Sequence, residues 1–392
     1  MKPRRVTLLT HSFGWGGTEA NTLGILTALA ERGHDVTLVQ LGHEIYDSAL
    51  PASRRFASRH VALPRPIERL PVGWWRRLLR ELRTDVCVLS KGAFDVRWPA
   101  LDIAAFLGAR RYVLLEHHPA ELPPPRSKAR HFGGLVPGLG LWWWRRHLES
   151  VMHLRLAHRV VTDSRHVTDI LCEHYALPRR RTAHVHCGID VSAFTFRETE
   201  RVRLRESWGI PRDALVLGTV GRFAENKRLD RIVRAFRALR DARPDLDAWL
   251  LLAGSGPERD AIAALAAELG LADRAVLPGY VEDAAAALSA LDVYLLSSRA
   301  EGFGIAAVEA MACERVCVAM NSGGPGEILT DPALGWLTPA EDEPAFTAAV
   351  LAAAQATAEE RSLMGRRARA HAVANFDGVR QSQRIAMLIE SA

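Results

Sequence analysis

Nowhere in the 392 residues is there a run of about 18 uncharged apolar side chains, the length that crosses a bilayer. The chain opens Met1-Lys2-Pro3-Arg4-Arg5-Val6 and passes directly into an apolar strand pattern. The apolar region and small-residue cleavage site of a secretory leader are missing, so a cytoplasmic location is expected. Cysteine is scarce. The five thiols, Cys87, Cys172, Cys187, Cys313 and Cys317, show no paired metal spacing, and Cys313 and Cys317 flank a helix-to-strand turn as core thiols would. The first glycine-rich turn, His11 to Glu19, lacks a full G-x-G-x-x-G, and the next strand ends at Gln40 where an acidic residue would stand. A nicotinamide cofactor is therefore disfavoured. Asp245-Leu246-Asp247 imitates an acidic metal motif but precedes a strand rather than ending one, and it reads as a loop. No side chain offers itself as an obvious covalent nucleophile.

What is present is an ordinary globular balance of 48% hydrophobic and 24% charged residues, with length enough for two full cores. The net charge of +6 is uneven: residues 1–190 hold 28 Lys and Arg against 17 Asp and Glu, residues 191–392 hold 23 against 28. A basic half that also carries seven of the ten tryptophans points to an anionic surface or acceptor on one side only. Nucleic acid and membrane lipid both fit that description.

The stretch from Ser297 to Glu327 organises the rest. Leu291–Leu296 is an apolar run bounded by polar residues, as in a buried strand. Glu301 follows in a loop with Gly302-Phe303-Gly304, and a helix starting near Gly304 or Ile305 carries Glu309, eight residues on. A strand, Val316–Ala319, leads to a second glycine loop, Gly323-Gly324-Pro325-Gly326, closed by Glu327. Glu301 thus lies at the carboxyl end of a parallel strand, where α/β sheets bind ligands. The helix that follows presents unpaired N–H groups suited to an anion.

Elsewhere the order is strand, glycine turn and helix at the amino terminus (Val6–Thr10, then Thr18 to Arg32), then strands at Val36–Leu41, Val86–Leu89 and Tyr112–Leu115. The last of these ends in Glu116-His117-His118. Arg159–Thr162 and Thr182–His186 close the first half. Val216–Val220 opens the second and runs into Gly221-Arg222-Phe223-Ala224-Glu225-Asn226-Lys227-Arg228, two cations positioned to neutralise a diphosphate. Trp249–Ala253 leads to Gly254-Ser255-Gly256, and Ala275–Leu277 to Gly279-Tyr280-Val281. Helices at Gly365–Ala374 and Gln381–Ile389 finish the chain.

The stretch Glu301-Gly302-Phe303-Gly304 to Glu309-Ala310-Met311-Ala312, with Gly323, Gly324 and Glu327 behind it, resembles the E-x7-E site of the retaining glycosyltransferases of family 4, the group 1 glycosyltransferases with the GT-B fold. Ala306 stands where that family usually has proline. Arg222 and Lys227 match its G-R-x-x-x-x-K-G, with Arg228 in place of the glycine, and Cys187-Gly188-Ile189-Asp190 resembles its N-G-I-D with cysteine for asparagine.

The resemblance implies an α/β GT-B fold, two doubly wound Rossmann-like domains facing across a cleft. Residues 1–190 would be the acceptor-binding domain, with 376–392 crossing back to it, and 191–375 the nucleotide-sugar-binding domain. It implies a retaining transfer from a nucleotide diphosphate sugar to a saccharide or lipid-linked acceptor, in cell-surface polysaccharide or glycolipid synthesis. His117, chosen over His118 by the Glu-His pair, would meet a donor hydroxyl. Glu301 would bind hydroxyls of the donor sugar, while Arg222 and Lys227 would carry the leaving diphosphate. The donor would also be held by Gly16, Gly17, Gly254, Tyr280, Val281, Phe303, Gly304, Ile305 and Glu309, the last on the ribose diol. No metal or other cofactor is implied.

Two further readings stand beside this one: a sugar-nucleotide epimerase of the same fold, and a nucleic-acid-binding protein. Trp74-Trp75-Arg76-Arg77 and Trp142-Trp143-Trp144-Arg145-Arg146 suit an anionic membrane interface. Peripheral attachment to the inner face of the cell membrane is expected from them, and no nucleic-acid partner.

Overall fold

The computed structural model describes residues 2–11, 16–42, 46–47, 50, 55–91, 99–117, 148 and 150–392. The chain divides into two compact units, Met1–Gly188 with Gly378–Ala392, and Ile189–Asp377.

In the first unit seven parallel strands run in the order β3-β2-β1-β4-β5-β6-β7. They are β1 (Arg5–His11), β2 (Asp35–Leu41), β3 (Ala57–Val61), β4 (Val86–Lys91), β5 (Arg111–Glu116), β6 (Arg159–Thr162) and β7 (Thr182–His184). The central strands are apolar and buried along most of their length because helices cover both faces of a parallel sheet. The edge strand β3, Ala-Ser-Arg-His-Val, is largely exposed and polar, and nothing in its sequence announces a strand.

The helix Gly17–Glu31 buries Ile25, Leu26 and Leu29 on one face of this sheet. The last helix, Gly378–Glu390, adds Ile385, Ala386 and Ile389 to the same core. Its end is pinned. Glu390 accepts Arg32 Nε and Nη2, both at 2.7 Å, and pairs with His34 Nε2 at 2.9 Å. His34 Nδ1 accepts the Arg4 N–H at 3.2 Å, so the ring proton sits on Nε2, facing the carboxylate.

The helix Val72–Glu81 corrects the membrane reading of its tryptophans. Trp75 is fully buried with Leu78 and Leu79, a three- and four-residue spacing that faces the sheet. Trp74 is part-buried against the same core and meets Trp75 edge-on at 4.8 Å. Arg76, Arg77 and Arg80 lie on the outer face of this helix and reach solvent. Apolar area removed from water outweighs the headgroup preference of the indoles. Trp142 to Trp144 lie outside the described residues, as does His118.

The second unit is a six-stranded parallel sheet in the order β10-β9-β8-β11-β12-β13. Its strands are β8 (Leu215–Val220), β9 (Ala248–Ala253), β10 (Ala275–Gly279), β11 (Val293–Leu296), β12 (Val316–Met320) and β13 (Gly335–Thr338). The doubly wound architecture expected in each half is present. In each sheet the order reverses once, between β1 and β4 and between β8 and β11, and the connections leave on opposite faces there. Cys313 and Cys317 are buried free thiols of the second core. Asp245 and Asp247 are held by Arg243 and Arg274 in an exposed turn ahead of β9. Among the described residues no helix is long and apolar enough to cross a membrane.

Candidate active site

The switch point of the second sheet gathers the loops after β8 and β11. After β8 the chain passes Arg222, which is exposed and forms no ion pair among the described residues, and makes a helical turn at Glu225–Lys227. Arg228 then takes a left-handed conformation at φ 49°. A glycine would sit there without strain; arginine costs about 1 kcal/mol. Its guanidinium forks onto Asp230 at 2.9 Å, and that pair offsets part of the strain.

After β11 two serines, both 1% exposed, stitch the loops together. Ser297 Oγ lies 2.9 and 2.8 Å from the carbonyls of Lys227 and Arg228. The Arg299 N–H donates to the Asn226 carbonyl at 2.8 Å. Against this frame Lys227 Nζ donates to Glu301 Oε1 at 2.6 Å, and Ser298 Oγ donates to the same oxygen at 2.6 Å. The sequence placed Glu301 and Lys227 on different parts of a donor; the fold puts them in one ion pair. Ser298 was not singled out, although a polar pair closing an apolar strand was its signal.

The second glycine loop is tied to the first. Glu301 bridges Gly323: the Glu301 N–H donates to Ser322 O at 3.1 Å and the Gly324 N–H to Glu301 O at 3.2 Å. A Cβ on Gly324 would stand 2.2 Å from the backbone of Phe303, so only glycine allows this approach. The Phe303 ring is 2% exposed and packs edge-on against Phe376 at 5.3 Å. The ring is therefore a core residue that seats the loop, and a donor contact at Phe303 would have to come from its backbone.

Gly304, at φ 104°, turns the chain into the helix Ile305–Ala312. The N–H groups of its first turn, at Ile305 and Ala306, have no carbonyl within the helix. Glu309 lies one turn further on. Loss of solvent pushes its carboxyl up to about 7, so near neutrality its protonated and ionised forms are both populated.

The loops after β9 and β10 complete this rim. The Gly254 N–H donates to Gly279 O at 2.7 Å, and a Cβ on Gly254 would stand 1.8 Å from the carbonyl of Gly221. Tyr280, 72% exposed, and Val281 follow β10. Arg222, Lys227, Gly254, Tyr280, Val281, Glu301, Gly304, Ile305 and Glu309 therefore all belong to the carboxyl side of one sheet or to the helix that starts there.

The remaining assignments fall in the first unit. Gly16 precedes the helix that Gly17 begins. His117 follows β5, is buried, and has Nε2 3.4 Å from Ser90 Oγ at the end of β4. Donor atoms of His117, Asp163 and Cys187 all lie within 4.8 Å of one another. Burial and the nearby Asp163 carboxylate push the Cys187 thiol well above its ordinary value. Neither Asp163 nor Cys187 stood out by spacing, because they come from different strand ends.

Two family descriptions match the chain: glycosyltransferase family 4 over residues 15–193 and glycosyl transferases group 1 over residues 200–371. The glycosyltransferase MJ1607 of Methanocaldococcus jannaschii is 25% identical over 334 residues, 83% of this chain and 82% of its own length. A D-inositol 3-phosphate glycosyltransferase of Geodermatophilus obscurus is 34% identical over 225 residues, 55% of this chain. The chain spans about half the length of that relative, 49%. HepE of Anabaena, solved in complex with UDP and glucose, superposes with a TM-score of 0.80 at 18% identity, covering 99% of this chain and 100% of its own. WaaG, a glycosyltransferase involved in lipopolysaccharide biosynthesis, superposes at 0.74 with 18% identity over 99% of this chain and 100% of its own.

Proposed function

The chain belongs to the group 1 glycosyltransferases of the family 4 type and has the GT-B fold, and from that membership we propose that it transfers a sugar from a nucleotide diphosphate donor with retention at the anomeric carbon. The observation that carries the reading is the Lys227–Glu301 pair at the sheet's switch point, with the exposed Arg222 in the same loop as Lys227. Breaking the glycosidic bond leaves negative charge on the diphosphate. Two cations and the first-turn N–H groups of Ile305–Ala312 stabilise that charge more as it grows, and this differential term accelerates the step. Glu301 holds Lys227 in place and directs carboxylate oxygen toward donor hydroxyls. Ionised Glu309 accepts from the ribose diol. His117 meets a further donor hydroxyl.

The residues assigned here hold charge and hydroxyl groups, so the proposal includes no metal. HepE was solved with UDP and glucose, so UDP-hexoses are the first donors to try. Calorimetry against nucleoside diphosphates and their sugars identifies the donor, and proton NMR of the first-formed product reads its anomeric configuration. Donor incubated alone controls for isomerisation. An inverted product sinks the retaining assignment, and failure of every nucleotide to bind sinks the site.

The acceptor belongs to the same proposal: a saccharide or a lipid-linked saccharide in surface polymer or glycolipid synthesis. Attachment to an anionic membrane now rests on Trp142-Trp143-Trp144 with Arg145 and Arg146, and on the exposed Arg76, Arg77 and Arg80.

A further inference from the structure

The first unit contains a buried cluster that the transfer reaction does not use as a whole. His117 comes from the end of β5, Asp163 from the end of β6 and Cys187 from just beyond β7. They are 7%, 6% and 1% exposed. Imidazole, carboxylate and thiol atoms converge to within 4.8 Å of one another. Cys187 Sγ lies 3.9 Å from Asp163 Oδ2, to which it donates, and accepts from Asn21 Nδ2 at 3.9 Å. Asn21 is itself 5% exposed, and its Oδ1 is buried with no hydrogen-bond partner among the described residues.

We propose that His117, Asp163 and Cys187, with the amide oxygen of Asn21, form a binding site for zinc or a similar thiophilic divalent cation. The donor set is one nitrogen, one sulfur and two oxygens. Borderline-soft zinc accepts such a mixture, whereas magnesium and calcium prefer oxygen alone. Four donors around a tetrahedral zinc lie roughly 3.5 Å apart, so the cluster needs only a modest contraction. Rotating the Asn21 amide by half a turn exchanges its oxygen and nitrogen and faces Oδ1 toward Cys187. That rotation gives the orphaned oxygen a partner. On binding, the thiol proton leaves for solvent and the sulfur coordinates as thiolate.

The resembled N-G-I-D motif has asparagine where Cys187 stands, and the substitution supplies the only sulfur of the cluster. Because His117 cannot hold a metal and a donor hydroxyl with the same nitrogen, the cation is expected to inhibit transfer rather than to support it.

Zinc alone, titrated by calorimetry into the full, reduced, metal-free chain, should bind one ion per chain in the micromolar range or tighter. Cys187→Asn and Asp163→Asn should each weaken binding at least about tenfold, with thermal melting confirming that both fold. Cys172→Ser, at a half-exposed thiol outside the cluster, should leave binding unchanged. Cobalt(II) in the wild-type chain should give a thiolate-to-metal absorption band, which needs no variant to read. Lack of stoichiometric zinc binding, absence of that band, or binding that survives Cys187→Asn would overturn the proposal. None of these readouts depends on transfer activity.

Discussion

Lys227 and Glu301, 74 residues apart in sequence, share one short hydrogen bond, Nζ to Oε1 at 2.6 Å, in a position where both side chains are mostly withdrawn from water. The lysine is 30% and the glutamate 10% exposed at the side chain. The pair sets its own test. Lys227→Ala should lower turnover at least about tenfold, or roughly 1.4 kcal/mol of transition-state stabilisation. Part of that loss comes from Glu301 left without its cation. Glu301→Gln with Lys227→Ala should therefore cost less than the two single losses summed. Additive losses in steady-state kinetics would show that the two act separately.

Glu309 should impose a pH dependence on donor affinity. Its carboxyl is pushed up to about 7 by burial, and ribose hydroxyls donate best to the ionised form. The reciprocal of the donor KM should rise as pH passes from 6 to 8, and Glu309→Gln should flatten that rise. Folding carries the opposite sign. A carboxyl whose folded value exceeds its unfolded one binds more protons when folded, so stability falls as pH climbs from about 4.5 through 7. Glu309→Gln should then melt higher than wild type at pH 8, by an amount worth about 1–3 kcal/mol. A variant that melts lower at pH 8 and binds donor normally would remove Glu309 from the site.

Activity should survive EDTA. In the proposed mechanism the charge on the leaving diphosphate would be met by Arg222, Lys227 and helix N–H groups. Complete loss on chelation, restored by magnesium or manganese, would replace this account of the mechanism.

Glu390 should make the docking of the last helix acid-sensitive. Its carboxyl is held down to about 2, chiefly by hydrogen bonds from Arg32, against the cost of burial and with help from His34. A depressed folded value gives stability that is complete above about 4.5 and lost as pH falls toward 2. Glu390→Gln should cost roughly 2 kcal/mol at pH 7 and little at pH 2. Equal melting of variant and wild type at pH 7 would count against the staple.

Gly254→Ala should destabilise the second unit by well over about 2 kcal/mol. The added methyl would lie 1.8 Å from the Gly221 carbonyl, and the residue sits at φ 148°. A melting temperature within a degree or two of wild type would show that these loops yield more easily than their contacts imply.

Much of the architecture was legible in residue order. Central parallel strands such as Leu215–Val220 and Val316–Met320 are short apolar runs because helices cover both of their faces. The helix Ile305–Ala312 announces its start through Gly304. The edge strand Ala57–Val61 was missed because one side of it lacks a partner and its residues are polar. Gly335–Thr338, the outer strand beside Val316–Met320, carried no clear pattern either.

Trp75 marks the limit of composition. Tryptophan beside arginine suits both a membrane boundary and a core helix with a charged outer face, and only its zero exposure decided for the core. By itself, the sequence determined the local elements and the glycine turns, since both depend on neighbouring residues and backbone sterics. Tertiary structure alone decided that Lys227 meets Glu301, that Phe303 turns inward, and that His117, Asp163 and Cys187 converge. Each of these depends on which strand ends become neighbours in a sheet. Strand order places far-separated residues side by side, and spacing along the chain does not encode it.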